Sequence, residues 1–264
     1  MENKYNKYFW EFEQKNKDNA RSINTSLNKQ FNSKDPNEIF GRDYFESICL
    51  NYHLYNNDLK EWVKREVLPH FTEETLISCY LIKLTDALML KEEGKPNSIM
   101  NSFREIGLIK DIELKEDKII LTTKNNEVVK FKSLFNDEEG RNQFRSRCHS
   151  GCEFLIRNHE TLKKGSAIIT LRDSFIGKYP IYHSIILSKR KYIIDPARNL
   201  VMKLDDYKRL FKLDIIMCID RETMLEEIDR LKETDSDFNK SNLSNVLKLA
   251  MHKQMKKGRN MARH

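Results

Sequence analysis

The pattern of apolar residues predicts a helical first half for the chain. Residues 1–34 are polar and rich in Asn and Lys, so they predict an extension without a core of its own. Asp35 followed by Pro36 predicts a helix start, because the carboxylate can cap free N–H groups and proline suits the first turn. Apolar residues at near-helical spacing then predict one or two amphipathic helices through Val63.

A second capping signal stands at Thr72, which is followed at once by two acidic residues. It predicts a helix that runs to Gly94, and a shorter helix is predicted over residues 99–109. The period of the pattern then changes from that of a helix to that of a strand. Two alternating runs, IELKEDKIILTTK and EVVKFKSLF, are separated by a polar turn and predict a β-hairpin.

The second half of the chain mixes helical and strand-like patterns. A polar helical stretch, DEEGRNQFRSR, leads into a second helical pattern, CHSGCEFLIRNHETL. Three strand-like runs follow, SAIITLRDSF, YPIYHSIILSK and KYIIDPARNLVM, and the turn residues between them predict adjacent antiparallel strands. A short helix, LDDYKRLF, a strand, IIMCID, and terminal helices from Glu222 complete the prediction, which is that of an α+β protein.

Composition and charge bear on whether the protein binds nucleic acid or a membrane. Lys and Arg number 47 against 40 acidic residues, and a net charge of +7 can indicate nucleic-acid binding. The basic residues are scattered, however, and only the tail, KLAMHKQMKKGRNMARH, concentrates them, which is more typical of a solvated helix end. No apolar run reaches the ~18 residues of a membrane-spanning helix. The first residues lack the pattern of a signal peptide, so a cytoplasmic protein without membrane contact is predicted.

The five cysteines are predicted to be reduced thiols, because their number is odd and their spacing irregular. Cys49, Cys79 and Cys218 lie in apolar runs and are predicted to be core residues. Cys148 stands where a helix should begin. Free N–H groups and the helix dipole favour a thiolate at that position, so Cys148 is a candidate nucleophile.

The predicted topology brings a histidine and an aspartate back towards this thiol. His183 lies inside the second strand-like run, and Asp195 is predicted to end the third strand, because Pro196 follows it directly. If the two strands form a hairpin with its turn near Lys189 and Arg190, residues 183 and 195 lie opposite one another to within a residue. His183 would then take the proton of Cys148, and Asp195 would hold the other ring nitrogen.

These residues carry a resemblance to a known superfamily. Cys-His at a helix start, Tyr-His-Ser-Ile-Ile-Leu and Tyr-Ile-Ile-Asp-Pro-Ala-Arg-Asn resemble the transglutaminase-like branch of the papain-like cysteine enzymes, over about residues 140–215. The resemblance implies a nucleophile helix packed on an antiparallel sheet and acyl transfer through a thioester. Peptidase, transglutaminase, deamidase and N-acyltransferase members share that scaffold. Two aromatic residues common in the family are absent, since His149 follows the nucleophile and Ile185 follows the histidine segment.

The sequence does not decide two parts of this site, the oxyanion donor and the choice of nucleophile. The oxyanion of an acyl intermediate would be held by the Cys148 N–H and by a side chain from Gln143 or Asn142. Cys152 is the alternative nucleophile, because it lies one helical turn after Cys148. The simplest alternative is that both are structural thiols.

Two other classes of function compete with an enzyme. One is a non-catalytic protein-binding module on the same fold. The other is a zinc-dependent nucleic-acid-binding protein that uses the basic tail, with zinc held by Cys148, Cys152, His159 and His183. Structural zinc sites usually repeat a short ligand pair, and here the second pair is missing.

We therefore expect a thiol hydrolase or acyltransferase that needs no metal or organic cofactor. A protein or peptide is the expected substrate, nucleic acid is not an expected partner, and the sequence carries no signal for an oligomeric state. The predicted organisation is a polar extension, a helical region ending in a β-hairpin, a transglutaminase-like core, and C-terminal helices with a basic tail, over 1–34, 35–135, 136–220 and 221–264.

Overall fold

The computed structural model of the chain describes residues 49–144, 147–162, 165–176 and 179–234. The predicted N-terminal extension, the helix start at Asp35 and the basic tail lie outside the described residues. Within the described residues the chain forms helices and antiparallel β-strands, which confirms the α+β prediction.

The chain folds into two compact units. Among the described residues, the first unit contains 49–131, 174–176, 179–181 and 209–212, and the second contains 132–144, 147–162, 165–173, 182–208 and 213–234.

Among its described residues, the first unit contains three α-helices and an antiparallel meander. The elements are α1 (Asn57–Trp62), α2 (Glu73–Met89), α3 (Lys95–Glu105), β1 (Ile109–Lys115), β2 (Lys118–Thr123) and β3 (Val128–Ser133), the last two residues of which belong to the second unit.

The N-cap predicted at Thr72 is confirmed, because its Oγ1 accepts a hydrogen bond of 3.1 Å from the Thr75 N–H. The apolar stripe of α2 faces the core, where the Tyr80 ring stacks on Phe103 with centroids 4.5 Å apart. Each such fully buried side chain stabilises the fold by roughly 1.5–3 kcal/mol.

The predicted two-stranded hairpin is in fact a three-stranded meander. The run IELKEDKIILTTK was predicted as one strand, but it turns between Lys115 and Lys118, which face each other in register. Glu116 occupies the left-handed region there, with φ of 58°. Charged residues at a two-residue turn carry a weaker signal than Asn-Gly or Asp-Gly, so the alternating pattern on each side concealed the turn.

The second unit packs helices on an antiparallel sheet. Its helices are α4 (Glu138–Phe144), α5 (Cys148–Asn158), α6 (Leu204–Leu210) and α7 (Arg221–Thr234), and its strands are β4 (Ala167–Ile176), β5 (Tyr179–Leu187), β6 (Tyr192–Asp195), β7 (Leu200–Lys203) and β8 (Ile215–Asp220). The strand order is β7-β6-β5-β4-β8, and β6 pairs antiparallel with both β5 and β7, as β8 does with β4. Small parts of β4, β5 and α6 belong to the first unit.

The strand predicted to stop at Pro196 does end at Asp195, but the same run, KYIIDPARNLVM, also contains a second strand, β7, that was not predicted. Pro196 has no N–H to give to a strand ladder and follows Asp195 directly. The Asp195 carboxylate accepts the Arg198 N–H at 3.0 Å, which closes a turn, and Asn199 takes a left-handed φ of 57°. The chain therefore reverses after Asp195, and Leu200 pairs back with Asp195.

The core of the second unit fixes α5 against the sheet. The buried apolar face of α5 meets isoleucines of β4, β5 and β8 in one cluster, which contains Cys152, Leu155, Ile156, Ile168, Ile186 and Ile219. Because these side chains are fully or almost fully buried, the first turn of α5 is held at a fixed place over the sheet.

Candidate active site

The thiol of Cys148 lies at the first residue of α5, where the sequence predicted it. The first helical hydrogen bond runs from the Gly151 N–H to the Arg147 carbonyl at 2.8 Å, so the N–H groups of 148–150 precede it and have no partner within the helix. Arg147 caps none of them with its side chain. The sulfur is partly exposed and lies 3.9 Å from the Tyr182 carbonyl oxygen of β5.

The hairpin of β5 and β6 brings His183 to Asp195. Its pairs include Ile186 with Ile194, and continuing this register places Asp195 across from residue 185, two residues from His183. We expected residue 195 to lie opposite residue 183 to within one residue. The observed offset is two residues, so this expectation was wrong by one residue. Residues two apart on a strand share a face, so the side chains still meet, and Nε2 of His183 lies 2.8 Å from Oδ2 of Asp195.

Asp195 is fully buried and is held by a buried arginine as well as by the histidine. The Arg198 side chain donates from Nη1 to Asp195 Oδ2 at 3.0 Å and to the Tyr207 hydroxyl at 3.1 Å. Burial alone would raise the pKa of the Asp195 carboxyl. The nearby charges of His183 and Arg198 and the hydrogen bonds outweigh that effect and hold the pKa well below its usual range, so the carboxylate stays ionised.

The imidazole of the next residue, His149, also lies beside the Cys148 thiol. The His149 imidazole lies close enough to the Cys148 thiol to lower the pKa of that thiol, and its Nδ1 lies 2.7 Å from the Ser184 hydroxyl. Ser184 in turn lies 2.9 Å from the Thr170 hydroxyl of β4, and both hydroxyl residues are fully or almost fully buried. Cys148 thus has two histidines at its sulfur, one from β5 and one from its own helix.

The electrostatics of the site favour a thiolate beside an imidazolium. Burial raises the pKa of the Cys148 thiol, but hydrogen bonds with His149 and His183 and the charge of His183 outweigh it, and the pKa is lowered to about 5. Burial and the charge of Arg198 lower the pKa of His183, yet the charge and hydrogen bond of Asp195 raise it to about 9. Between those two values the sulfur is negative and His183 is positive.

The rival thiol, Cys152, is in a different environment. It is fully buried in the core below α5 and lies 3.2 Å from the Ser184 carbonyl oxygen. Burial and the negative charges of Asp195 and Cys148 raise the pKa of the Cys152 thiol well above its usual range. This sulfur therefore stays protonated, as a small core residue would.

The other cysteines divide into buried and exposed thiols. Cys49 and Cys79 are buried, as predicted, while Cys218 is exposed, so its expected place in the core was wrong. On β8, Ile219 points into the core and its neighbour Cys218 points to the opposite side, because strand residues alternate between faces. Cys218 is therefore useful as an accessible reference thiol.

The residues expected to hold an oxyanion lie on the exposed side of α4. Gln143 and Asn142 are both exposed, and Asn142 donates to Glu138, one turn earlier in α4, at 3.3 Å. Among the described residues, no hydrogen bond joins either side chain to Cys148.

The four residues considered as zinc ligands are not gathered at one point. His159 follows the last residue of α5, whereas Cys148 is the first. In the described part of the chain, no group of three or more His, Cys, Asp or Glu side chains is arranged to hold a metal ion.

Sequence reasoning missed two members of this constellation, His149 and Arg198. Each stands close in sequence to a residue that was identified, because His149 follows Cys148 directly and Arg198 follows Asp195 by three residues. The signal for Arg198 was the Asp-Pro-Ala-Arg turn, in which a side chain three residues on can return to the carboxylate. The signal for His149 was its place in the first turn of the helix.

Gly151 lets the turn after Asp195 approach α5 closely. A Cβ at this position would lie 3.0 Å from the Phe144 ring and 3.1 Å from Pro196. We expect Gly151→Ala to destabilise the protein by about 1 kcal/mol or more, because this overlap exceeds the ~1 kcal/mol gained from a better helix former. Urea unfolding of the full chain measures the change. Ser150→Ala, at an exposed neighbour in α5, is the matched control and should be neutral or slightly stabilising. Equal stabilisation by both variants would contradict the close packing.

Comparison of the chain with protein-family models, with curated proteins and with solved structures found no match. In the part of the chain that the structure describes, no helix is long and apolar enough to cross a membrane. The proposed function is therefore based on the geometry of the residues themselves.

Proposed function

We propose that this protein is a cysteine-dependent acyl-transfer enzyme of the transglutaminase-like, papain-like kind, which acts through a thioester on Cys148. One observation carries the proposal: a thiol at a helix start lies beside an imidazole that lowers its pKa and that is itself held by a buried carboxylate. A structural role for these residues explains the packing of Cys152, but it gives no reason to bury an ionised Asp195 beside His183.

The steps follow from the atoms present. The Cys148 thiolate attacks the carbonyl carbon of an amide or ester, the carbon–sulfur bond forms, and the carbonyl electron pair moves to oxygen. As the intermediate collapses, the bond to the leaving group breaks and His183 gives its proton to the leaving nitrogen or oxygen. Water or an amine then attacks the thioester, returns a proton to His183 and releases the thiolate.

Asp195 keeps His183 in the orientation that these steps need. Its carboxylate binds Nε2, so Nδ1 is the ring nitrogen left to exchange a proton with sulfur and leaving group. Arg198 binds the same carboxylate and holds it ionised, and is therefore a positioning residue rather than a catalytic one. No metal or organic cofactor is needed for any step.

The packing of α5 on the antiparallel sheet also supports the proposal. A nucleophile helix packed on an antiparallel sheet is the arrangement that the resemblance implied, and α5 on its sheet fits it. Members with this machinery act as peptidases, transglutaminases, deamidases and N-acyltransferases, so we propose a protein or peptide acyl donor. Reduced catalytic and buried thiols fit a reducing compartment such as the cytoplasm.

The rate of alkylation by iodoacetamide should report the ionisation of Cys148. We expect the rate to be constant from neutral pH down to about pH 5 and to fall below that value, because the thiolate is lost as the pH drops through the pKa of about 5. In His183→Ala the inflection should move upwards, towards the pH of about 8.5 at which an unassisted thiol titrates, because the charge and hydrogen bond of His183 are lost while His149 remains. Rates at each pH are measured by mass spectrometry of the Cys148 peptide.

The exposed Cys218 is alkylated in the same samples and calibrates reagent and pH. We compare inflection points rather than absolute rates, because a thiolate of low pKa is intrinsically a weaker nucleophile and the two effects partly offset each other. An inflection for Cys148 that is near pH 8.5 in the unaltered protein, or that is unchanged in His183→Ala, would contradict the ion pair.

A further inference from the structure

We propose that His149 is a further catalytic residue, the side-chain donor that stabilises the oxyanion formed on the acyl group at Cys148. This inference rests on the proposed acyl-transfer function, and it gives His149 the role that the sequence suggested for Gln143 or Asn142. The geometry that points to it is a second imidazole at the sulfur, oriented by two buried hydroxyl groups rather than by a carboxylate.

The hydroxyl groups of Ser184 and Thr170 determine which ring nitrogen of His149 carries the proton. Thr170 has Ser184 as its hydroxyl partner within the described residues, so its proton is used when Thr170 donates to Ser184. The Ser184 proton is then free to be donated to Nδ1 of His149, 2.7 Å away. The reverse direction would leave the Thr170 proton buried without an acceptor, which costs about 1–3 kcal/mol. Nδ1 is therefore an acceptor, and the ring proton lies on Nε2.

An imidazole that carries a proton on Nε2 is a hydrogen-bond donor. With Nδ1 turned to Ser184, Nε2 is the nitrogen left to face the Cys148 sulfur. The N–H of Cys148 also precedes the first helical hydrogen bond and is available at the same end of α5. One backbone and one side-chain donor beside the attacking sulfur is the arrangement that stabilises a tetrahedral oxyanion.

The two histidines thus have different roles, proton transfer for His183 and oxyanion stabilisation for His149. His183 has a buried carboxylate behind it and becomes the imidazolium that gives and takes protons. His149 has hydroxyl groups rather than a carboxylate behind it, and its role is to donate a hydrogen bond. When the thiolate attacks, the new carbon–sulfur bond pushes the carbonyl pair onto oxygen, and His149 Nε2–H and the Cys148 N–H donate to that oxygen. When the leaving group departs with its bond pair, the carbonyl re-forms.

The test uses p-nitrophenyl acetate as the acyl donor on the full chain. Its leaving group departs without an acid, so the acetylation rate of Cys148 reports attack and oxyanion stabilisation. We expect His149→Ala to lower that rate about 10²-fold, the usual effect of losing one oxyanion donor. His149→Gln, whose amide can donate from nearly the same place as Nε2, should recover most of the loss. Ser184→Ala should show a smaller loss than His149→Ala.

Alkylation by iodoacetamide separates this role from an effect on the thiol alone, because displacement of iodide creates no oxyanion. Both reactions are measured at a pH above the thiol inflection of each variant, so the thiolate is fully formed in all of them. We expect alkylation of His149→Ala to stay within about threefold of the unaltered protein while acetylation falls. Equal falls in both reactions, or unchanged acetylation, would overturn the role of His149. Failure of the unaltered protein to acetylate Cys148 at all would instead overturn the proposed function.

Discussion

Cys148→Ser should abolish the burst of p-nitrophenolate that we expect when the protein meets p-nitrophenyl acetate. A serine hydroxyl has almost the same size as a thiol, but it does not ionise near neutral pH, so the preformed anion beside His183 is lost. We expect the acetylation rate to fall by about 10⁴-fold or more, as is usual when a nucleophile is removed. Stopped-flow absorbance measures the amplitude and rate of the burst.

Cys218→Ser is the matched control for this substitution. It changes the same atom at an exposed thiol of β8, away from the histidines of the site, and should leave the burst unchanged. A burst of full amplitude in Cys148→Ser would show that another group takes the acetyl, and the assignment of the nucleophile would then be wrong.

Asp195→Asn should damage both catalysis and stability. The amide carries no charge, so the buried Arg198 and the His183 imidazolium lose their common counterion. Removing one partner of a buried ionic cluster typically costs about 3–5 kcal/mol. Acyl transfer should fall by about 10³–10⁴-fold at neutral pH, because the imidazole is no longer held in the productive tautomer and orientation. Burst kinetics and urea unfolding measure the two effects.

The pH dependence of this loss has a defined sign. The pKa of Asp195 is held below its usual range in the folded protein, so its stabilising effect is present above the unfolded value of about 4 and is lost as the pH falls below it. The stability difference between the unaltered protein and Asp195→Asn should therefore shrink on acidification. Asp214→Asn, at an exposed carboxylate before β8, serves as the control and should change neither stability nor burst. A stability difference that stays constant down to pH 3 would contradict the buried ionic cluster.

Much of the second unit could be predicted from the alternation of its residues. The strand-like runs around His183 and Cys218 and the helix at Cys148 are all present, because periodicity reports directly which face of an element is buried. The turn near Lys189 was also predicted correctly, since the chain reverses between Ser188 and Lys191.

What escaped prediction depends on contacts between distant residues or on details of turns. The register of β5 against β6 follows from how the turn closes and how Ile186 packs against α5, and no local pattern specifies it to a single residue. The separation of β6 from β7 depends on the Asp195 side chain accepting the Arg198 N–H, an interaction that a strand-like pattern hides.

The candidate site was predictable as far as residue type and chain order go. Cys148, His183 and Asp195 have side chains whose chemistry is recognisable in the sequence, and the structure brings them together. The part played by His149 could not be inferred in the same way. It depends on the hydroxyl of Ser184, which lies 35 residues further along the chain and becomes a neighbour only when α5 packs on the sheet.

Acid quenching followed by peptide mapping shows directly whether Cys148 is the nucleophile. The protein is mixed with p-nitrophenyl acetate, quenched in acid during the burst and digested with pepsin at acid pH, which preserves a thioester, and the peptide that contains Cys148 and Cys152 is sequenced by tandem mass spectrometry. We predict a thioester-linked acetyl group on Cys148, absent from Cys152 and Cys218 and lost in His183→Ala. Acetyl on Cys152, or on lysines alone with Cys148 unmodified, would contradict it.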